Sequence, residues 1–191
     1  MPDPVDIAFL QYRAYPLNHI PDDQLTNCLG SADQGNEGVV VAKFHNNGDY
    51  VSTGGFTACT AFSIFDRSSR VVSIAHFDGS ETPAVLTKMV DDMVKLGANL
   101  HHLDQWGIVA AAIRENTTLR GVWDCIDERL RPIVNPLPPL NQNDRANPTL
   151  IDDQIYYGRS LCVGYIHYAI TVGQRDDDPP MQTTNRCCNL L

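Results

Sequence analysis

The sequence predicts an α/β (α+β) domain: a mixed, largely antiparallel sheet or a β-sandwich core, flanked by helices. Three observations carry this prediction. Two apolar runs, Thr57 to Asp66 and Val71 to Asp78, are joined by only Arg67-Ser68-Ser69-Arg70, the pattern of a hairpin covered on both faces. Two later stretches, 82–97 and 116–132, carry apolar residues at helical spacing. Short runs rich in β-branched and aromatic residues then follow within 155–172 and read as closing strands. The 191 residues suit one domain, and 43% hydrophobic against 19% charged residues can fill a sizeable core.

Taken in order, residues 1–37 form an N-terminal extension. Asp6 to Tyr15 suits a strand or a short helix, and Pro21 to Glu37, rich in Asp, Asn, Gln and Gly, reads as loop. Val39 to His45 is a β-branched strand ended by Asn46-Asn47-Gly48-Asp49, and Ser52-Thr53-Gly54-Gly55 reads as a turn. After the hairpin, Thr82 is a good N-cap and Pro83 fits the first helical position. Leu86, Met89, Val90 and Met93 make the apolar stripe, and Gly97 suits the residue that ends a helix in a left-handed turn.

Trp106 to Ile113 reads as a buried strand. Asn116 or Thr117 then caps a second helix with the stripe Leu119, Val122, Trp123, Ile126 and Leu130, stopped by Pro132. Pro132 to Pro148 has no periodicity and reads as an irregular surface excursion. Ile155 to Tyr157, Leu161 to Tyr165 and Ile166 to Val172 read as strands, His167 among them, and 174–191 as a polar tail. Between the extension and the tail lies one folded segment, 38–173.

Fourteen Lys and Arg against 23 Asp and Glu give a net charge of −9, which disfavours nucleic acid, whose phosphates demand cationic surface. The opening residues lack a basic region followed by an apolar core, and no apolar run approaches the roughly 20 residues that span a bilayer. Of the six cysteines, Cys59, Cys125 and Cys162 fall in apolar surroundings, and Cys28 lies in a polar stretch without an assigned role. No Cys-x-x-Cys pair suggests zinc, and His101-His102 reads as a solvated turn without a third ligand. The expectation is a reduced, cytoplasmic protein that binds neither metal nor cofactor.

The hairpin carries the chemistry. If Phe65 opposes Arg70, then Cys59 opposes His76 on one face, with Cβ atoms about 4.5–5.5 Å apart. An imidazole in that position can take the thiol proton and leave a thiolate that attacks an acyl carbon. Gly54 and Gly55 let the nearby backbone bend so that amides converge on an oxyanion. A cysteine and a histidine on neighbouring buried strands also occur as plain core residues.

The segment Thr53-Gly54-Gly55-Phe56-Thr57-Ala58-Cys59, followed by Ala75-His76-Phe77, resembles the CheD family of protein glutamine deamidases. The likeness continues through Met93-Val94-Lys95-Leu96-Gly97-Ala98 and covers roughly residues 38 to 173. It also resembles the deamidase domain of cytotoxic necrotizing factor toxins. The resemblance implies that fold, with Cys59 as nucleophile, His76 as general base and Thr53 orienting the imidazole. Backbone N–H groups at Ala58 and Cys59 would hold the oxyanion. It implies conversion of glutamine to glutamate on a protein partner, as by a toxin or effector; the expectation is a monomer, cytoplasmic or delivered into a host cytosol. Related thiol chemistry, such as transglutamination, and a non-catalytic binding domain are the alternatives.

The last residues, Cys188-Asn189-Leu190-Leu191, fit a loose prenylation box, and Cys187 suits a second lipid. Membrane attachment is expected only through such lipidation, because Asp176-Asp177-Asp178 opposes an anionic leaflet.

Overall fold

The structure is a computed structural model that describes residues 15–32, 38–54, 59–79, 83–112, 117–134 and 154–175. Its strands are β1 (Tyr15–Pro16), β2 (His19–Ile20), β3 (Asn27–Ser31), β4 (Val39–Lys43), β5 (Asp49–Gly54), β6 (Thr60–Asp66), β7 (Val71–Phe77), β8 (Trp106–Ala112), β9 (Ile155–Tyr157), β10 (Ser160–Ile166) and β11 (Ala169–Arg175). The helices are α1 (Pro83–Lys95) and α2 (Thr117–Asp124), with short 3-10 turns at Asp22–Gln24, Leu103–Gln105 and Glu128–Ile133. The class is α+β, built on two mixed, mostly antiparallel sheets. One sheet runs β1-β9-β8-β6-β7-β4 and the other β2-β11-β10-β5-β3.

The layering follows from strand alternation. On β6, Phe62 and Ile64 face the helices, whereas Ala61 and Phe65 face the second sheet. On β7, Ala75 and Phe77 turn to the helices, and Val72 and Ile74 to the second sheet. Every residue of both strands is buried, as expected for strands covered on both sides. Leu86, Met89 and Met93 of α1 and Trp123 of α2 close the helical side. Val51, Leu161, Val163 and Tyr165 close the sheet side. Burying each large apolar side chain here contributes about 2 kcal/mol.

Helix α1 forms as the sequence predicts. Its stripe Leu86, Met89, Val90 and Met93 is wholly buried. Its C-terminus closes as a Schellman turn, with Ala98 N–H donating to the Met93 carbonyl at 3.0 Å and Gly97 N–H to Val94 at 2.9 Å. Gly97 sits at φ 99°, a conformation that penalises any side chain. Thr82, the expected cap, lies outside the described residues.

The second helix is shorter than predicted. It ends at Asp124; Ile126 reaches the same core from the link that follows, and Leu130 from a separate 3-10 turn that contains Pro132. The break follows from Asp127, whose carboxylate accepts the Arg129 N–H at 2.9 Å and caps a new turn. Arg129 pairs with Asp127 and reaches Asp91 on α1, both at 2.8 Å. Asp91 is therefore a tie between two elements rather than only a solvated face.

Three other expectations need correction. The polar 21–37 region is not all loop: Asn27–Ser31 pairs with β5 as an edge strand with a register shift between Cys28 and Gly30. Edge strands tolerate polar residues because one side faces water, so composition misled here. Ser52, Thr53 and Gly54 are not a turn but the end of β5, held by β10 through Leu161↔Thr53 and Ser160↔Gly54. The run from Ile166 to Val172 is not one strand: His167 and Tyr168, at φ 50° and 65°, form the turn between β10 and β11. The extension contributes β1, β2 and β3 to the two sheets, and β11 continues two residues into the expected tail. The 6–14 part of the run read as strand or helix, the 135–153 part of the excursion and the tail beyond Arg175 lie outside the described residues.

Candidate functional site

Strand β5 brings Thr53 to the site. It starts at Asp49, whose carboxylate accepts the backbone N–H groups of His45 and Asn46 and the Asn27 side-chain amide, all at 2.8 Å. Burial opposes ionisation of Asp49, but these donors outweigh it and hold its carboxyl below the ordinary value. The anchored strand then alternates, and Val51 and Thr53 point into the core between the sheets, at 0% and 1% exposure.

Strand β7 brings His76 to the same core from the opposite sheet. The imidazole shares a face with Val72 and Ile74 and is 3% exposed. Thr53 Oγ1 lies 3.1 Å from His76 Nδ1, so a hydroxyl–imidazole hydrogen bond joins the two sheets across the buried interior. An imidazole protonated at Nδ1 donates to the hydroxyl oxygen and keeps its lone pair at Nε2, the form a general base needs.

Cys59 immediately precedes β6 and is 0% exposed within that inter-sheet core. The expected register is corrected by two residues. Ala61, not Cys59, opposes His76, and Phe65 opposes Val72. The cause is the loop. Asp66 accepts Ser68 N–H at 2.9 Å and the Ser68 and Ser69 hydroxyls at 2.7 Å, which keeps all of Arg67 to Arg70 out of the ladder. A shift of two preserves the face, so Cys59 stands one diagonal step from His76, a neighbour distance of about 7–8 Å between Cα atoms in such a sheet. The spacing argument thus had the right face and the wrong partner.

The described residues therefore bring Thr53 and His76 into contact and put Cys59 in the same core cluster. Gly54 is exposed at the end of β5, and Gly55 and Ala58 lie outside the described residues, as do Cys187 and Cys188. Cys28, Cys59, Cys125 and Cys162 carry thiols rather than disulfides. Cys162 is buried at 1% and Cys125 packs at the helical core, both as predicted. Cys28 is exposed on β3, and His101 and His102 are exposed in a turn. His167, expected within a strand, is exposed in the β10–β11 turn. Among the described residues no three His, Cys, Asp or Glu side chains converge as metal ligands, and no helix is long and apolar enough to cross a membrane. The chain matches no family model and no curated protein.

Proposed function

We propose that the protein is a cysteine-dependent glutamine deamidase with a CheD-like catalytic core. The observation that carries this reading is the 3.1 Å contact between Thr53 and His76, two residues 23 positions apart that have no packing reason to be polar in that core. A buried hydroxyl–imidazole pair costs desolvation, and orienting a base is a use that offsets the cost. Cys59 in the same cluster supplies the nucleophile.

In this mechanism His76 takes the Cys59 proton, and the thiolate attacks the carboxamide carbon of a substrate glutamine. The Cys59 backbone N–H donates to the oxyanion. As the C–N bond breaks, imidazolium gives its proton to the departing ammonia and a thioester remains. His76 then takes a proton from water as hydroxide adds to the thioester, and glutamate leaves while the thiol is restored. Thr53 acts through His76 and is a positioning residue. The chemistry is complete with these side chains and water.

The 0% exposure of Cys59 favours one competing reading, a binding domain on the same scaffold with an inert core thiol. Mass spectrometry of cell proteins treated with wild type or Cys59→Ala separates the two. Deamidation predicts Gln→Glu conversions that vanish with the variant, and added primary amines would reveal transglutamination. Identical spectra for both proteins would leave only the binding reading.

A further inference from the structure

At the other end of the β6–β7 hairpin, about 20 Å of strand from His76, a cavity of about 360 Å³ opens between two turns. Arg67, Ser68 and Arg70 of the β6–β7 loop line one side, and Tyr165 and Tyr168 of the β10–β11 hairpin the other. Among the described residues no acidic one lines it. In a chain of net charge −9 that is a local reversal of sign. The loop's own carboxylate, Asp66, is 0% exposed and saturated by Ser68, Ser69 and the Asn99 N–H, so it does not neutralise the arginines.

Both guanidinium groups lie over aromatic rings, and among the described residues neither is ion-paired. Arg67 lies 4.9 Å over the Phe65 ring and donates to the Trp106 carbonyl at 3.2 Å. Arg70 lies 5.4 Å over the Tyr165 ring, and neither arginine has a carboxylate partner among the described residues. A guanidinium that lies over a ring keeps N–H groups at its edge for an oxyanion; on Arg67 these are the ones other than Nη1, which donates to the Trp106 and Gln105 carbonyls at 3.2 and 3.5 Å.

The backbone supports a built site. Among the described residues the non-glycine positions with positive φ are Arg70, His167 and Tyr168, at 59°, 50° and 65°. Two of these line this cavity and the third adjoins it in the turn. A two-residue hairpin turn ordinarily takes Asn-Gly, which bears such angles without penalty. Here the strained turn carries Tyr168, 80% exposed and set edge-on to Tyr165 with centroids 6.4 Å apart. Strain retained at one place, with two guanidinium groups that have no carboxylate partner among the described residues beside an exposed ring, is what a recognition site would keep.

We propose that this cavity binds a ligand that carries both a phosphate and a planar ring, the phosphate on Arg67 and Arg70 and the ring against Tyr168. The site is independent of the deamidase reading. Two sources combine a phosphate with a planar ring: a phosphotyrosine segment of a protein, with the phosphate on the ring itself, and a nucleotide, with a ribose between phosphate and base.

Calorimetric titration of the full chain with phenyl phosphate, inorganic phosphate, a phosphotyrosine peptide and adenosine monophosphate tests it. Phenyl phosphate should bind at least about tenfold more tightly than inorganic phosphate, and Arg70→Ala should weaken it about tenfold or more. Tyr168→Ala should remove the preference for the ring, so that phenyl and inorganic phosphate bind that variant with equal affinity. Arg70→Lys, which keeps charge and bulk, covers the case in which Arg70→Ala loses the fold; it too should weaken binding. The tighter of the peptide and the nucleotide names the source. Absence of saturable phenyl phosphate binding up to about 10 mM, or equal binding by wild type and both Arg70 variants, overturns the proposal. Equal affinity for phenyl and inorganic phosphate overturns its ring component.

Discussion

Replacing Thr53 with valine isolates the contact on which the proposed chemistry rests. Valine exchanges the hydroxyl for a methyl group of nearly equal size, so it opens no cavity between the sheets. What it removes is the 3.1 Å partner of His76 Nδ1, in surroundings where Thr53 and His76 are 1% and 3% exposed and water does not replace the bond. A buried polar atom deprived of its partner costs about 1–3 kcal/mol, so urea denaturation should show a loss of that size with an unchanged slope. If the bond holds the imidazole in the form that serves Cys59, the same loosening should slow glutamine turnover about tenfold. Thr53→Ser is the matching control. It keeps the hydroxyl and loses one methyl, about 1 kcal/mol of stability, and should retain most of the turnover. Equal turnover by Thr53→Val and wild type, or equal losses in the valine and serine variants, would refute the positioning role.

Two further predictions concern the frame around the site. Burial works against the Asp66 carboxylate, but the Ser68 and Ser69 hydroxyls and the Asn99 and Ser68 amides outweigh it and hold its carboxyl below the ordinary 3.8. Its contribution to stability is therefore complete above that value and is lost as pH falls through the folded pKa; Asp66→Asn should cost about 3 kcal/mol at neutral pH and flatten the acid limb of a stability–pH curve. Gly107→Ala on β8 would set a Cβ 2.3 Å from the Phe65 ring, which is locked in the inter-sheet core, and should destabilise the protein by about 2 kcal/mol or more in the same denaturation assay.

Local chemistry explains which parts of the fold were legible. The α1 stripe and its Gly97 stop are written in neighbouring residues, and the structure follows them. The hairpin strands were legible for the same reason, from apolar runs flanking a polar link. Their register was not, because it depends on how the Asp66 side chain gathers the loop, a contact the apolar pattern does not encode. Thr53 was misread as a turn residue, since the glycines after it suggest a turn and the ladder to Leu161 arises from more than 100 residues further on. Its contact with His76 came only from a resemblance, because no periodicity links two strands in different sheets. The Arg67–Tyr168 cavity left no trace in the sequence, as its two turns meet only once both hairpins have folded.

The claim that Cys59 is an activated nucleophile is tested most directly by the rate at which each thiol is alkylated by iodoacetamide near neutral pH, read by peptide mapping. The molecule carries its own references: Cys28, exposed, for an ordinary thiol, and Cys162, 1% exposed, for a buried inert one. The account predicts that Cys59, despite 0% exposure, reacts faster than Cys28, and that His76→Asn abolishes this advantage without changing Cys28. A Cys59 as slow as Cys162, in wild type and variant alike, would contradict it.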